Sequence, residues 1–249
     1  MLIYLRYELC SCIVKNKVSF THVIVKAQVN RMATNSSKSS GMRRQPRQAR
    51  SQERVNQILD VAEQMFIADG YDATTTNAIA ARAKVPIGSL YQFFPDKAAI
   101  VQALAMRYME LLHQRFVNLH AAETANLPLS TYVEQVIEAT NRFFSDYPGY
   151  HAIFMQVQGK IPELEEIETA ADAQLIQELA RFLSQRDLDL ARSDCEAIAF
   201  VLVKAIGTLL WLALSQEQPF RQQIVAETKR LTLSYLQSYF PSCEMPPTP

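Results

Sequence analysis

The residues of this chain best suited by type and spacing to chemistry lie between Thr74 and Lys97. Three threonines and Asn77 come first, then Gly88, Ser89 and Tyr91, then Asp96 and Lys97. Hydroxyls, an amide, a phenol and an ammonium are hydrogen-bonding groups for a polar partner. The glycine would let such a partner approach closely. Bond-making chemistry has no comparable site. The chain has no nucleophile elbow, no glycine-rich phosphate loop and no His/Cys metal cluster. Its obvious carboxylate cluster, Glu163, Glu165 and Glu166, suits the first turn of a helix, where the macrodipole stabilises acids.

The elements that would position these groups are short helices. Thr74, Thr75 and Thr76 can cap a first helix by accepting free backbone N–H groups. Ile79, Ala80 and Ala83 then form its inward face. Lys84 and Val85 fall in a turn, and Pro86 suits a first helical position, where its missing N–H costs nothing. Leu90 and Phe94 pack inward together, four residues apart. That turns Ile87, Gly88, Ser89, Tyr91 and Gln92 outward. The layout is a helix-turn-helix over about 75–94, whose second helix enters the DNA major groove. Asp96 caps a third helix. Lys97 in its first turn opposes the macrodipole, a conflict that a bound phosphate would relieve.

Residues 52–112 resemble the DNA-binding domain of the tetracycline-repressor (TetR) family. The resemblance runs through Phe66-Ile67-Ala68-Asp69-Gly70-Tyr71, the threonines, Ile79-Ala80, Val85, Gly88-Ser89-Leu90-Tyr91, Phe93-Phe94 and Pro95-Asp96-Lys97. It implies a homodimeric transcriptional regulator on a double-stranded DNA operator, usually a repressor released by a small molecule. It implies that Thr75, Thr76 and Asn77 meet the DNA backbone and nearby base edges. Ile87, Gly88 and Ser89 would enter the groove, and Tyr91 and Lys97 would each bond a phosphate. Position 87 departs from a polar reading residue, so base contact there would rest on a thymine methyl.

Charge is divided along the chain. Net charge is zero, yet residues 1–97 carry 14 Lys+Arg against 7 Asp+Glu, and residues 98–249 carry 11 against 18. A basic first part fits a nucleic-acid end. At 249 residues and 49% hydrophobic content the chain can fill one large or two modest domains. Six glycines and little strand-like alternation after residue 50 indicate an all-α fold. The expected order is a leader and basic arm (1–50), the reading head (52–112), a helical effector-binding and dimerisation body (113–240) and a short tail (241–249).

Residues 1–31 hold β-branched runs broken by Arg6, Glu8, Lys15 and Lys17, which fits neither a membrane span nor a signal peptide. One reading is that translation begins at Met32 or Met42. Residues 32–50 are too polar to order themselves. Arg43, Arg44, Arg47 and Arg50 make them a basic arm, which is either a solvated tail or a DNA contact in the minor groove. Helix one follows over about 51–69, with Ser51 as cap, a stripe of Val55, Ile58, Leu59, Ala62 and Phe66, and Gly70 as its left-handed stop. A long helix from Asp96 to about Ala122 links head and body.

In the body, a helix over about 192–215 is apolar on almost every side, so a second subunit should cover what the chain itself does not. Lys204 and flanking charge argue against a membrane. Val201, Leu202 and Leu209, with Leu231 and Tyr235 of the last helix, are the expected dimer seam. Phe143, Phe144, Tyr147, Tyr150, Phe154, Phe182 and Trp211 could line an apolar cavity for an apolar or aromatic effector, or form ordinary core. Four cysteines make no framework, so a cytoplasmic, reduced protein is expected. Control through the thiol of Cys195 or through a protein partner is the alternative to a small molecule. No cofactor or metal is expected, because His113 and His120, seven apart, lack further ligands. An enzyme working in the body is the remote alternative.

Overall fold

The computed structural model describes residues 45–120, 127–186 and 190–240. Nine helices and no strand occur among them. They are α1 (Gln45–Ala68), α2 (Thr76–Arg82), α3 (Ile87–Phe93), α4 (Lys97–Leu119), α5 (Leu129–Asp146), α6 (Pro148–Val157), α7 (Glu163–Arg186), α8 (Arg192–Ala213) and α9 (Phe220–Gln237). The fold is all-α.

α1 starts six residues before the expected cap at Ser51, so the end of the basic arm, from Gln45 on, is helical. Its stripe closes as the spacing requires: Ile58, Ala62 and Phe66 are fully buried and Leu59 nearly so. Gly70 ends the helix region at φ +85°, which a glycine adopts without strain. α4 buries Ile100, Val101, Leu104 and Ala105 beneath the head and Tyr108 one turn further on. The helix ends at Leu119, short of the expected Ala122.

The body is built around α7 and α8. α8 packs against α7 and α9, α4 against α7, and α9 against α5. α8 has two unlike faces. At 22 residues and a mean hydropathy of 1.9 it is long and apolar enough to cross a membrane by composition. It nonetheless has one face sealed in the core, through Cys195, Ile198, Ala199, Leu202, Ile206, Leu210 and Ala213. Leu202 is therefore a core residue, 4% exposed, and not a seam residue. The opposite face stays open, with Phe200 53%, Val201 44% and Leu212 55% exposed.

The junction of α1, α4 and α6 is tight. The phenol of the fully buried Tyr108 donates to Glu63 Oε1 at 2.5 Å. Burial and the carboxylate beside it push that phenol well above its ordinary pKa, so it stays a donor. Arg107 holds Glu63 Oε2 and also Asp60, 2.5 Å away. Gly149 of α6 lies over this pair. A Cβ there would stand 2.6 Å from both Glu63 Oε1 and the Tyr108 hydroxyl. Gly149→Ala should cost about 1–3 kcal/mol of stability, read as a lower denaturant midpoint; an unchanged midpoint would show that the junction is slack.

A second polar group is sealed near the far end of α4. His120 stacks on Phe182 (4.9 Å) and bonds the Tyr132 hydroxyl through Nε2 at 3.0 Å. Burial pulls its pKa down to about 4 from 6.5. The folded state therefore prefers neutral imidazole. The stability this contributes is complete above the unfolded pKa and is lost as pH falls from about 6.5 towards 4. Urea unfolding should lose about 2 kcal/mol more between pH ~7.5 and pH ~5 in the wild type than in His120→Gln. Equal losses would mean that His120 titrates normally in the fold.

Candidate nucleic-acid interface

The head presents its polar groups from two short helices held at a fixed angle. Thr75 caps α2, its hydroxyl accepting from Ala78 N–H at 3.1 Å. Ile79 and Ala80 bury the helix's inner face, and Ala83 and Val85 continue that surface into the turn. Lys84 takes the left-handed conformation there, at φ +53°. Val85 N–H then reaches back to the Ala80 carbonyl at 3.0 Å, closing the turn. Pro86 is the N-cap of α3, one residue before the position expected for it. Its carbonyl accepts from Ser89 N–H at 2.8 Å and Leu90 N–H at 3.2 Å. Leu90 and Phe94 anchor α3 in the core at 0% and 5% exposure.

The outward face follows. Thr75, Asn77, Ile87, Gly88 and Tyr91 are exposed, while Thr76 and Ser89 are half-buried. Thr76 Oγ1 and the Tyr91 hydroxyl are 3.0 Å apart and hydrogen-bonded. The start of α2 and the middle of α3 thus share one polar surface, and each orients the other's hydroxyl. A Cβ added at Gly88 would meet nothing within 4 Å, so this part of α3 is open to an approaching groove. Arg47 lies in α1; Arg43 and Arg44 lie outside the described residues.

Lys97 does not point outward as expected. Its ammonium turns back onto the turn between α1 and α2, donating to the carbonyls of Tyr71 (2.5 Å), Thr74 (2.8 Å) and, more loosely, Asp72 (3.4 Å). It also lies 4.2 Å from the centre of the Tyr71 ring. The conflict with the α4 macrodipole is met by these carbonyl dipoles, and the α4 amides are served by Asp96, which accepts from Ala99 N–H at 2.8 Å. The same turn is gripped from the body. Tyr71 N–H donates to Gln156 Oε1 at 2.7 Å, and Lys160 pairs with Asp72 at 2.7 Å. Single-sequence patterns miss Gln156 and Lys160, because both contacts cross more than 80 residues.

Of the expected effector residues, six form one cluster. Tyr150 lies at its centre, within 4.8–5.8 Å of Phe143, Phe144, Phe154 and Trp211 by ring centres, and Tyr147 joins through Phe143 at 5.2 Å. Phe182 sits apart from these rings' contacts, stacked on Tyr132 (4.8 Å) and His120 (4.9 Å). A groove of about 390 Å³ opens elsewhere, beside Glu138, Asn141, Ser145, Arg221, Gln222 and Lys229. Its lining mixes these polar side chains with Val225 and Ala226 and carries no aromatic ring, unlike the cluster around Tyr150. Among the described residues no group of three His, Cys, Asp or Glu side chains is placed to hold a metal.

Residues 58–104 match the family model for bacterial regulatory proteins of the tetR family, and residues 128–236 match that for the tetracyclin repressor-like C-terminal domain. The chain is 26% identical over 184 residues to the HTH-type transcriptional regulator YhgD of Bacillus subtilis (strain 168), covering 70% of this chain and 91% of that one. It is 35% identical over 66 residues to the HTH-type transcriptional repressor KstR of Rhodococcus jostii (strain RHA1), covering 26% of this chain and 31% of that one. The chain spans less than half the length of some of the curated relatives it matches. A TetR-family transcriptional regulator from Streptomyces coelicolor shares the fold at a TM-score of 0.52 and 26% identity, covering 74% of this chain and 98% of that one. The first model covers the helices that carry the outward polar face and the second covers the body, so the chain belongs to the TetR family of DNA-binding transcriptional regulators.

Proposed function

We propose that the chain is a homodimeric repressor that binds a pseudo-palindromic operator and is released by a small apolar or aromatic effector. The observation that carries the DNA part is the shared surface of α2 and α3, where Thr76 and Tyr91 bond each other beside the open Gly88. Thr75, Thr76 and Asn77 contact the backbone and nearby base edges, Ile87, Gly88 and Ser89 enter the groove, and Tyr91 bonds a phosphate. Lys97 serves this surface by fixing the turn ahead of α2, and a phosphate contact would need its ammonium to exchange a carbonyl for the phosphate. Arg43, Arg44 and Arg47 of the basic arm are further DNA contacts on the same reading. The repressor direction rests on the resemblance, supported by the name of KstR.

The dimer seam is drawn from what the fold leaves uncovered. Phe200, Val201 and Leu212 of α8 and Leu231 of α9 are each 44–55% exposed, and Leu209 and Tyr235 are half-buried. Four large apolar side chains exposed on two adjacent helices fit the apolar core of a subunit interface. A two-fold seam there would set two α3 helices against half-sites about 34 Å apart, or a multiple of that. The effector region is the cluster around Tyr150, on α5, α6 and α8. Cys195 is fully buried, which favours a small-molecule effector over thiol control.

Three outcomes are expected. Tyr91→Phe should weaken binding to operator and scrambled duplex by similar factors, since a phosphate contact carries no sequence information. Changes at Ile87 or Ser89 should shift which operator is preferred, measured by titration against a panel of duplexes; equal losses on every duplex would remove them from the groove. Leu231→Glu should move the protein from dimer to monomer in sedimentation, with loss of operator binding. A variant that stays dimeric would place the seam elsewhere.

A further inference from the structure

The turn ahead of α2 is held by the body as well as by the head, and one side chain does most of this. Gln156 lies at the end of α6, and both halves of its amide are used. Oε1 accepts from Tyr71 N–H at 2.7 Å, and Nε2 donates to the Phe66 carbonyl at 3.4 Å. Phe66 lies in the last turn of α1, and Tyr71 follows the left-handed Gly70. The amide therefore spans the end of α1 and the start of the turn. A Cβ on Gly70 would stand 3.3 Å from Gln156 Oε1, so the missing side chain at position 70 is what lets the oxygen approach. Few side chains offer an acceptor and a donor in one plane at this reach.

Tyr71 is also held through the peptide that follows it. The Tyr71 carbonyl accepts from Lys97, while its N–H is taken by Gln156. From Tyr71 the chain runs through Thr74, whose hydroxyl donates to the Gly70 carbonyl at 2.8 Å. It then reaches Thr75, the cap of α2. Along this path Thr74 is 1% exposed, and Lys160 pairs with the exposed Asp72. Nearer its start α6 carries Tyr150, packed against Phe144 and Trp211, and Phe154 joins that ring two residues before Gln156.

We propose that Gln156 is a positioning residue for DNA recognition: through the Tyr71 peptide it sets the pose of the start of α2, although it belongs to the body and touches no DNA itself. The inference rests on the reading that Thr75, Thr76 and Asn77 meet DNA. It makes operator affinity depend on α6, and hence on how the aromatic cluster is packed.

The test uses the full chain and a duplex selected by the wild-type protein from a random-sequence pool, with a scrambled duplex as control. Gln156→Ala should lose about tenfold in affinity for the selected duplex, the upper range for one lost hydrogen bond. Its affinity for the scrambled duplex should change by less than about twofold, since non-specific binding follows charge. The Tyr71 amide should exchange hydrogen faster. Gln156→Glu keeps an acceptor for Tyr71 N–H and should retain most of the affinity, which separates the latch from a general loss of fold. Unchanged affinity for the selected duplex would overturn the proposal, as would equal losses on both duplexes with a lowered melting temperature. A wild-type chain that selects no duplex would fail the DNA-contact reading itself; unaltered Tyr71 exchange in Gln156→Ala would fail the latch alone.

Discussion

The bond between the Tyr108 phenol and Glu63 is the contact on which the arrangement of head and body depends. Tyr108 is fully buried on the one helix that runs from beneath the head into the body. A phenol in that position must donate or leave a buried polar group unpaired, at a cost of about 1–3 kcal/mol. Glu63 of α1 meets the need and is itself held by Arg107. Gly149 then admits α6 close enough for Tyr150 and Phe154 to pack edge-on against the Tyr108 ring, at 5.4 and 6.3 Å. Three helices far apart in sequence are thereby fixed against each other by one hydroxyl and one absent side chain.

The head uses the same economy. Two seven-residue helices are too short to be stable alone. They hold their shape because Ile79, Ala80, Leu90 and Phe94 pack on the core that α1 and α4 supply. Polar bonds then set the finer geometry: the Thr75 cap, the Thr76–Tyr91 pair and the Lys97 clamp. The outward groups of α2 and α3 are thus set on a surface whose rigidity comes from the core behind it.

α8 shows how composition and packing answer different questions. Its apolar length would suit a bilayer, but Cys195, Ile198, Leu202 and Leu210 form one stripe against α7 and α9. The remaining apolar face, with Phe200, Val201 and Leu212, is what a second subunit would cover. Hydropathy averages over all faces of a helix. It marks such a helix as needing cover and cannot say which side the chain covers itself, and Leu202, expected at the seam, is instead buried in the core.

Much of the local architecture was legible in the amino-acid order. Threonine and aspartate caps, the left-handed Gly70, the stripe of α1 and the outward set on α3 all follow from interactions within a few residues, and those are encoded in spacing. The polar direction of Lys97, the separation of Phe182 from the other aromatics and the grip of Gln156 on Tyr71 were not. Each depends on a partner whose position is set by chain closure: a turn 23 residues back, a ring on α5, a peptide 85 residues away. The sequence by itself determined that this is an all-helical chain with a DNA-reading head, because periodicity and caps are local. Only the tertiary structure decided which side chains hold that head in place, because a hydrogen bond between distant segments leaves no period in the chain.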